Sequence, residues 1–235
     1  MGKLGYNLAN ACFGDIAEDP AFFMQLREKA QFPFISTNVV KSTTSEPYFA
    51  PYRIINIGGP WRIAFLGVSA PQTKPITLPD GTTLVAADVI QSVGKYVKLL
   101  RSQVHLIIVL AHIPFDQASA LAKAYDDIDM ILGGDGTLVH FEPQFVNNAY
   151  IMYGGQEGKY VGVMEAFPSG NVLDKLGCRI VALDTAFADD PEMAESLNNY
   201  RTEAQKKFGK KVLQFEVGDE SSAAPVPDSP QSQKK

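Results

Sequence analysis

Apolar runs that end abruptly in polar residues stand out in the middle of the chain. The run 104–112 (VHLIIVLAH) stops at His112, and the run 129–137 (DMILGGDGT) stops at Asp135 between two glycines. The segment 115–128 between them has the spacing of a short helix. Strand, helix and strand form a βαβ unit, whose crossover places both strand ends at the same edge of a parallel sheet. Because ligands of open α/β sheets bind outside that edge, we expect His112 and Asp135 to face one crevice.

The hydrophobic pattern elsewhere predicts further strands and helices. Helices are expected at 87–102 and after the Asp-Pro pairs at 19–20 and 190–191, where Asp would cap the helix and Pro would take its first position. The Pro/Gly-rich stretch 71–81 is expected to be a loop. Strands are expected at 6–12, 33–40, 52–58, 61–69, 150–155, 160–167 and 177–183. The last three strands follow one another closely, which favours antiparallel pairing. The pattern predicts an α/β fold, a mixed parallel and antiparallel two-sheet sandwich flanked by helices.

Composition and length are those of a soluble globular protein with one sizeable domain. The chain has 235 residues, of which 46% are hydrophobic and 20% charged. We expect one domain over residues 1–211, and a disordered Pro/Ser-rich tail over 212–235. The net charge of −5 gives no reason to expect nucleic acid as a partner, and no apolar run approaches the roughly 20 residues of a membrane helix. The first residues contain no signal peptide.

Several kinds of chemistry find no support in the motifs of the chain. Cys12 and Cys178 lie far apart in apolar settings, so both are expected to be buried free thiols, with a disulfide as the alternative. No CxxC, GxSxG, P-loop or HExxH motif is present. His140 is expected to be a loop histidine and His105 a structural one.

Six segments occur in a fixed order along the chain. They are GYN (5–7), FPFISTNVV (32–40), IAFLGVS (63–69), AH (111–112), DMILGGDGT (129–137) and GGQEGKYVG (154–162). Their order and spacing resemble the calcineurin-like metallophosphoesterase family, in its 5′-nucleotidase branch. The resemblance extends from about Gly5 to Gly209 and implies a metallophosphoesterase-like sandwich. It also implies a location in the periplasm or outside the cell.

The resemblance implies a centre of two divalent metals that activate a water and clamp phosphate oxygens. Members of the family supply the ligands from five motifs: Asp-x-His, Gly-Asp, Asn-His, a histidine after a Ser-His strand, and Gly-His-x-His. The first two motifs would fall before residue 5, so we expect the domain to lack the family's first strands. The Asn-His place falls near residues 12–15, where Asp15 is the available carboxylate. His112 matches the Ser-His histidine, and Asp135 and Thr137 stand where the family has two histidines.

This set of ligands is too small for a dinuclear centre, so no metal cofactor is expected as the chain stands. One hard cation, Mg²⁺ or Mn²⁺, held by Asp135, His112 and Asp15 with several waters is an open alternative. Purely structural roles are open as well: a backbone-bonded strand-end histidine for His112 and a turn residue for Asp135. Backbone N–H groups of a glycine-rich crevice could also cradle an anion. The residues of that crevice are Gly134, Gly136, Thr137, Gly154 and Gly155.

Three functions follow from these observations. The first is a degenerate, non-catalytic domain that acts as a structural or binding subunit of a larger assembly. Another protein chain is its expected partner, because missing strands would leave unpaired backbone groups on their neighbours. The second is an active phosphoesterase that hydrolyses nucleotides with Mn, Mg, Fe or Zn and is completed by residues outside this chain. The third is a module that binds a nucleotide or phosphate without hydrolysing it.

Overall fold

The computed structural model describes residues 4–59, 61–136, 138–169 and 172–209, without the side chains of 166–176. The predicted disordered tail at 212–235 therefore lies outside the described residues, and so does Thr137. The chain divides into one compact unit that ends at Asp184 and a second that begins at Thr185. The strands are β1 (Ala9–Asn10), β2 (Phe34–Ile35), β3 (Val39–Lys41), β4 (Tyr52–Ile57), β5 (Trp61–Ser69), β6 (Gln72–Thr77), β7 (Thr83–Ala86), β8 (Leu106–His112), β9 (Met130–Gly133), β10 (Gln144–Val146), β11 (Ala149–Tyr153), β12 (Tyr160–Ser169) and β13 (Val172–Ala182). The helices are α1 (Phe13–Glu18), α2 (Pro20–Lys29), α3 (Val89–Leu100), α4 (Phe115–Ala124) and α5 (Pro191–Phe208).

A six-stranded mixed sheet forms the centre of the first unit, in the order β10-β11-β9-β8-β5-β4. The four inner strands are parallel, and the edge strands β4 and β10 run antiparallel to their neighbours. The predicted βαβ unit is confirmed, because α4 joins the parallel neighbours β8 and β9. Of the three strands expected to pair antiparallel from residue 150 onward, β12 and β13 do so, but the expectation is wrong for β11. The strand β11 pairs in parallel with β9, and its nearly continuous burial is typical of an inner parallel strand.

The central sheet is covered on both faces. Side chains of α3 and α4 pack on one face, where Val93, Val97 and Leu100 are buried as their helical spacing predicts. On the other face a smaller cluster is packed against Met164 and Cys178 of the β12–β13 hairpin. The result is the layered, mixed α/β architecture that the sequence predicts. Cys178 and Cys12 are free thiols, but each is only partly buried rather than fully buried.

The region before β4 differs most from the sequence prediction. The strand expected at 33–40 is split into β2 and β3 by Ser36, Thr37 and Asn38, which are buried and polar. Thr37 illustrates the reason: its hydroxyl donates to Pro51 O at 2.6 Å and its N–H to Gly67 O at 2.6 Å. The polar groups of Thr37 thus bond to the segments around residues 51 and 67, so the hydrogen bonds of one continuous strand are interrupted here. The parallel pair β1–β2 is held against β5 by these contacts.

The stretch expected to be a loop at 71–81 is mostly a β-hairpin. Strands β6 and β7 pair antiparallel and extend a three-stranded sheet in the order β3-β7-β6. Proline at position 75 is compatible with this arrangement because β6 is an edge strand.

Both Asp-Pro helix starts are confirmed. Asp19 accepts a hydrogen bond from Phe22 N at 2.9 Å, and Asp190 accepts one from Met193 N at 2.9 Å. The helix α2 is largely exposed: Phe23 is its buried residue, and the neighbouring Phe22 is 56% exposed. Among the described residues, none of the helices combines the length and apolar character that a membrane span requires.

Candidate functional site

The carboxyl ends of the inner strands form the edge at which the predicted site residues lie. Ser69 at the end of β5 is in register with His112 at the end of β8, and Ala111 is in register with Gly133 at the end of β9. Gly134 N donates to Ala111 O at 3.0 Å, which keeps the β9 end beside β8. Asp135 follows directly, so His112 and Asp135 leave neighbouring strands at the same edge.

The segment after β1 reaches the same edge. The pKa of the Cys12 thiol is raised to about 12, mainly by burial and also by the negative charges of Asp15 and Asp135. Cys12 is therefore within electrostatic range of both carboxylates, one on the first turn of α1 and one after β9. Asp15 itself is exposed to solvent on that helix.

Asn10, which the sequence pattern does not single out, lies beside the end of β5. It ends β1, donates from Nδ2 to Val68 O at 2.8 Å, and has a buried Oδ1 without a hydrogen-bond partner among the described residues. A Cβ on Gly67 would overlap this oxygen, so the glycine permits the close approach of β1 to β5. No Asn-His pair occurs at residues 12–15, and Asn10 is the nearest asparagine upstream of them.

A buried amide fixes the geometry of the β5 end. Asn38 accepts from Ser69 N at 2.9 Å through Oδ1, and its Nδ2 donates to Ser69 O and Ala87 O, both at 2.8 Å. Ser69 Oγ in turn accepts a hydrogen bond from Phe13 N at 3.0 Å. Because Asn38 and Ser69 are almost fully buried, this network holds β5, β7 and the start of α1 in one arrangement.

Three packed rings, those of Phe115, His140 and Tyr153, lie on the Asp135 side of the site. Tyr153 is buried and donates its hydroxyl to Ile113 O at 2.6 Å. Its ring meets those of Phe115 and His140 edge to face, with the His140–Phe115 centroids 5.2 Å apart. Burial raises the pKa of Tyr153, and the charge of Asp135 contributes. Burial lowers the pKa of His140, whose Nδ1 has no hydrogen-bond partner among the described residues.

The glycine-rich crevice has many of its amides already engaged. Gly155 N donates to Leu138 O at 2.9 Å, and Gly154 N donates to Gly133 O at 3.4 Å. Gly136 adopts a φ of 72°, which serves the turn after Asp135. The anion-binding role of these glycines stays a prediction.

The described residues at this edge do not by themselves supply the ligands of a dinuclear metal centre. Within the described ranges, no three His, Cys, Asp or Glu side chains are grouped so that they could hold a metal ion. His112 and Asp135 offer one imidazole and one carboxylate, whereas two close dications require several of each. The metal roles of His112, Asp135 and Asp15 stay predictions.

Comparison with known proteins identifies the relatives of this chain. No family model matches it. It is 27% identical over 194 residues to the uncharacterized metallophosphoesterase YunD of Bacillus subtilis, covering 81% of this chain and 41% of that protein. It is 28% identical over 197 residues to the 5′-nucleotidase of Vibrio cholerae, covering 69% of this chain and 35% of that protein.

Among solved structures, a 5′-nucleotidase precursor from Thermus thermophilus superposes with a TM-score of 0.71 at 22% identity, covering 87% of this chain and 44% of that one. The chain thus spans less than half the length of each of these three proteins. The resemblance inferred from the sequence is confirmed by these matches. The chain is a homologue of metallophosphoesterases and 5′-nucleotidases and has the calcineurin-like fold of their metallophosphoesterase domains.

Proposed function

We propose that this chain is a degenerate metallophosphoesterase-like domain that does not hydrolyse phosphate esters by itself. Instead it serves as a structural or binding subunit of a larger assembly. The observation that carries this proposal is the small number of metal ligands at the sheet edge. His112 and Asp135 are present there, while residues 12–15, where the resemblance puts the family's Asn-His pair, contain neither asparagine nor histidine.

The electrostatics of a dinuclear centre make this shortage decisive. Two dications about 4 Å apart repel by about 16 kcal/mol at an effective dielectric of about 20, four times the value for unit charges. Ligands of opposite charge and lone-pair donors must offset that repulsion. One carboxylate, Asp135, brings a single negative charge, and His112 brings none when neutral. We therefore expect this chain alone to bind two metals too weakly for catalysis.

Exposed aromatic side chains support a role in assembly. The edge strand β10 leaves Phe145 62% exposed, and the preceding loop leaves Phe141 44% and Leu138 40% exposed. These side chains are close in sequence, and exposed apolar surface is typical of protein interaction sites. An edge strand also has unpaired backbone groups that a partner can satisfy. We propose that another protein chain contacts this region.

A combined metal and activity measurement tests the proposal. The purified chain is incubated with Mn²⁺ or Zn²⁺ and desalted, its metal content is measured by inductively coupled plasma mass spectrometry, and hydrolysis of AMP and bis-p-nitrophenyl phosphate is followed. We expect well below one metal per chain and the same background turnover for the wild type and the His112→Ala/Asp135→Ala variant. Turnover that this double variant abolishes would contradict the proposal and favour an active phosphoesterase completed from outside the chain.

A further inference from the structure

A cavity of about 400 Å³ opens beside His112, between α1, the end of β5 and strand β6. His112 belongs both to this cavity and to the crevice at the β8 and β9 ends, whereas Asp135 does not line the cavity. Its volume lies within the range of pockets that bind small organic molecules. Besides His112, the side chains that decide its chemistry are Phe13, Ala17, Ser69, Gln72, Lys74 and Ile76.

The ionisable side chains in this lining are bases. Lys74 supplies an ammonium group and His112 an imidazole N–H, whereas none of the described residues that line the cavity carries a carboxylate. Ser69 Oγ accepts from Phe13 N at 3.0 Å, which leaves its O–H proton for donation. The polar groups thus favour a negatively charged ligand with several acceptor oxygens.

The remaining walls are apolar. Phe13 is buried beneath the cavity with 5% exposure, and Ile76 is half-buried on β6. Such walls favour a ligand whose anionic group is attached to a small apolar or aromatic body, because burying that body removes apolar surface from water. A free inorganic anion would leave this part of the cavity unused.

We propose that this cavity binds a small organic anion, in which a carboxylate or phosphoryl group contacts Lys74 and His112 and an apolar body packs on Phe13 and Ile76. The imidazole acts as a hydrogen-bond donor in this mode. Binding therefore depends on the proposed function in one respect, that a metal does not engage His112. The buried Asn38–Ser69 network fixes the β5 end, so the cavity wall is rigid on that side.

Titration with two probe anions tests this assignment. Phenylphosphonate, whose carbon–phosphorus bond a phosphoesterase cannot hydrolyse, and benzoate are added separately to the full chain in EDTA, and binding is followed by calorimetry and by NMR shifts. Benzyl alcohol is the uncharged control. We expect saturable binding of at least one anion and none of benzyl alcohol. Saturation by phenylphosphonate alone assigns a phosphoryl ligand, and saturation by benzoate alone assigns a carboxylate.

Two variants complete the experiment. Lys74→Met keeps an unbranched side chain but removes the charge, and it should weaken binding about tenfold or more, as the loss of one charge-assisted hydrogen bond implies. Lys123→Met in the last turn of α4 is the matched control and should leave binding unchanged. Failure of both anions to saturate, or equal affinity in Lys74→Met, would overturn the cavity assignment. Two metals per chain with hydrolysis of AMP in EDTA-free samples would overturn the proposed function instead.

Discussion

Substitution of Gly133 by alanine should destabilise the site edge severely. Gly133 is the last residue of β9, and a Cβ there would overlap the ring of Tyr153 on the adjacent strand β11. Tyr153 cannot move aside freely, because it is 1% exposed and its hydroxyl is bonded to Ile113 O at 2.6 Å. The side chain must therefore leave its position or the two strands must separate.

The expected cost has two parts. Overpacking of a well-packed core costs about 1–3 kcal/mol. Displacing the Tyr153 hydroxyl leaves the buried Ile113 carbonyl without its donor, which costs about 1–3 kcal/mol more. The free energy of unfolding should fall by about 2–6 kcal/mol, a large part of the roughly 5–15 kcal/mol that holds a domain folded.

Urea unfolding followed by circular dichroism measures this change. Gly134→Ala is the matched control, because a Cβ at this neighbouring residue would meet no atom within 4 Å. We expect the control to change stability by less than about 0.5 kcal/mol. A Gly133→Ala variant as stable as Gly134→Ala would refute the close packing of β9 on Tyr153. Reduced destabilisation of Gly133→Ala in a Tyr153→Leu background would confirm that the tyrosine ring is the clashing group.

Three further predictions concern pH, an ion pair and thiol reactivity. Burial lowers the pKa of His140, so this histidine binds a proton more readily in the unfolded chain than in the folded one. The free energy of unfolding should therefore fall as the pH drops below about 6.5, and His140→Phe should flatten this pH dependence in urea titrations. Arg101→Met removes four hydrogen bonds, one of them 2.9 Å long to Asp129, and should lower the free energy of unfolding by about 1.5–3 kcal/mol. Lys159→Met is the control: it removes an exposed ion pair and should lower the free energy of unfolding by less than about 0.5 kcal/mol. Burial raises the pKa of the Cys12 thiol from 9.0 to about 12, so its thiolate fraction near pH 8 should be about a thousandfold smaller in the native chain than in urea. Its reaction with iodoacetamide, quantified by peptide mass spectrometry, should be slower by a similar factor.

Each of these predictions has an outcome that contradicts it. An identical pH dependence of stability in His140→Phe and the wild type would show that another group titrates. Equal effects of Arg101→Met and Lys159→Met would show that the Arg101 bonds contribute no more than a surface pair. Equally fast labelling of Cys12 in water and in urea would show that the thiol is accessible in the folded chain.

The middle of the fold was predictable because its signals are local. The apolar run that forms β8 and the helical spacing of α4 give the βαβ unit directly, and both Asp-Pro helix starts follow from capping chemistry. These are the elements that bring His112 and Asp135 to one edge. Their spatial relation therefore required no knowledge of distant contacts.

The region before β4 was harder to predict because its structure depends on long-range hydrogen bonds. Asn38 forms hydrogen bonds with Ser69, which is 31 residues away, and no periodic pattern in the sequence predicts this contact. The β6–β7 hairpin lies in a stretch whose prolines are typical of loops, yet an edge strand tolerates them. The role of Asn10 was not predictable, because its strand β1 has only two residues and so shows no alternation of apolar and polar side chains.

The central claim, that the ligands at this edge cannot hold a dinuclear centre, is tested most directly by crystallography with manganese. Crystals of the chain are soaked in Mn²⁺, and an anomalous difference map is calculated from data collected at the manganese absorption edge. We expect no anomalous peaks beside His112 and Asp135. Two peaks about 4 Å apart, each within bonding distance of one of these side chains, would contradict the account.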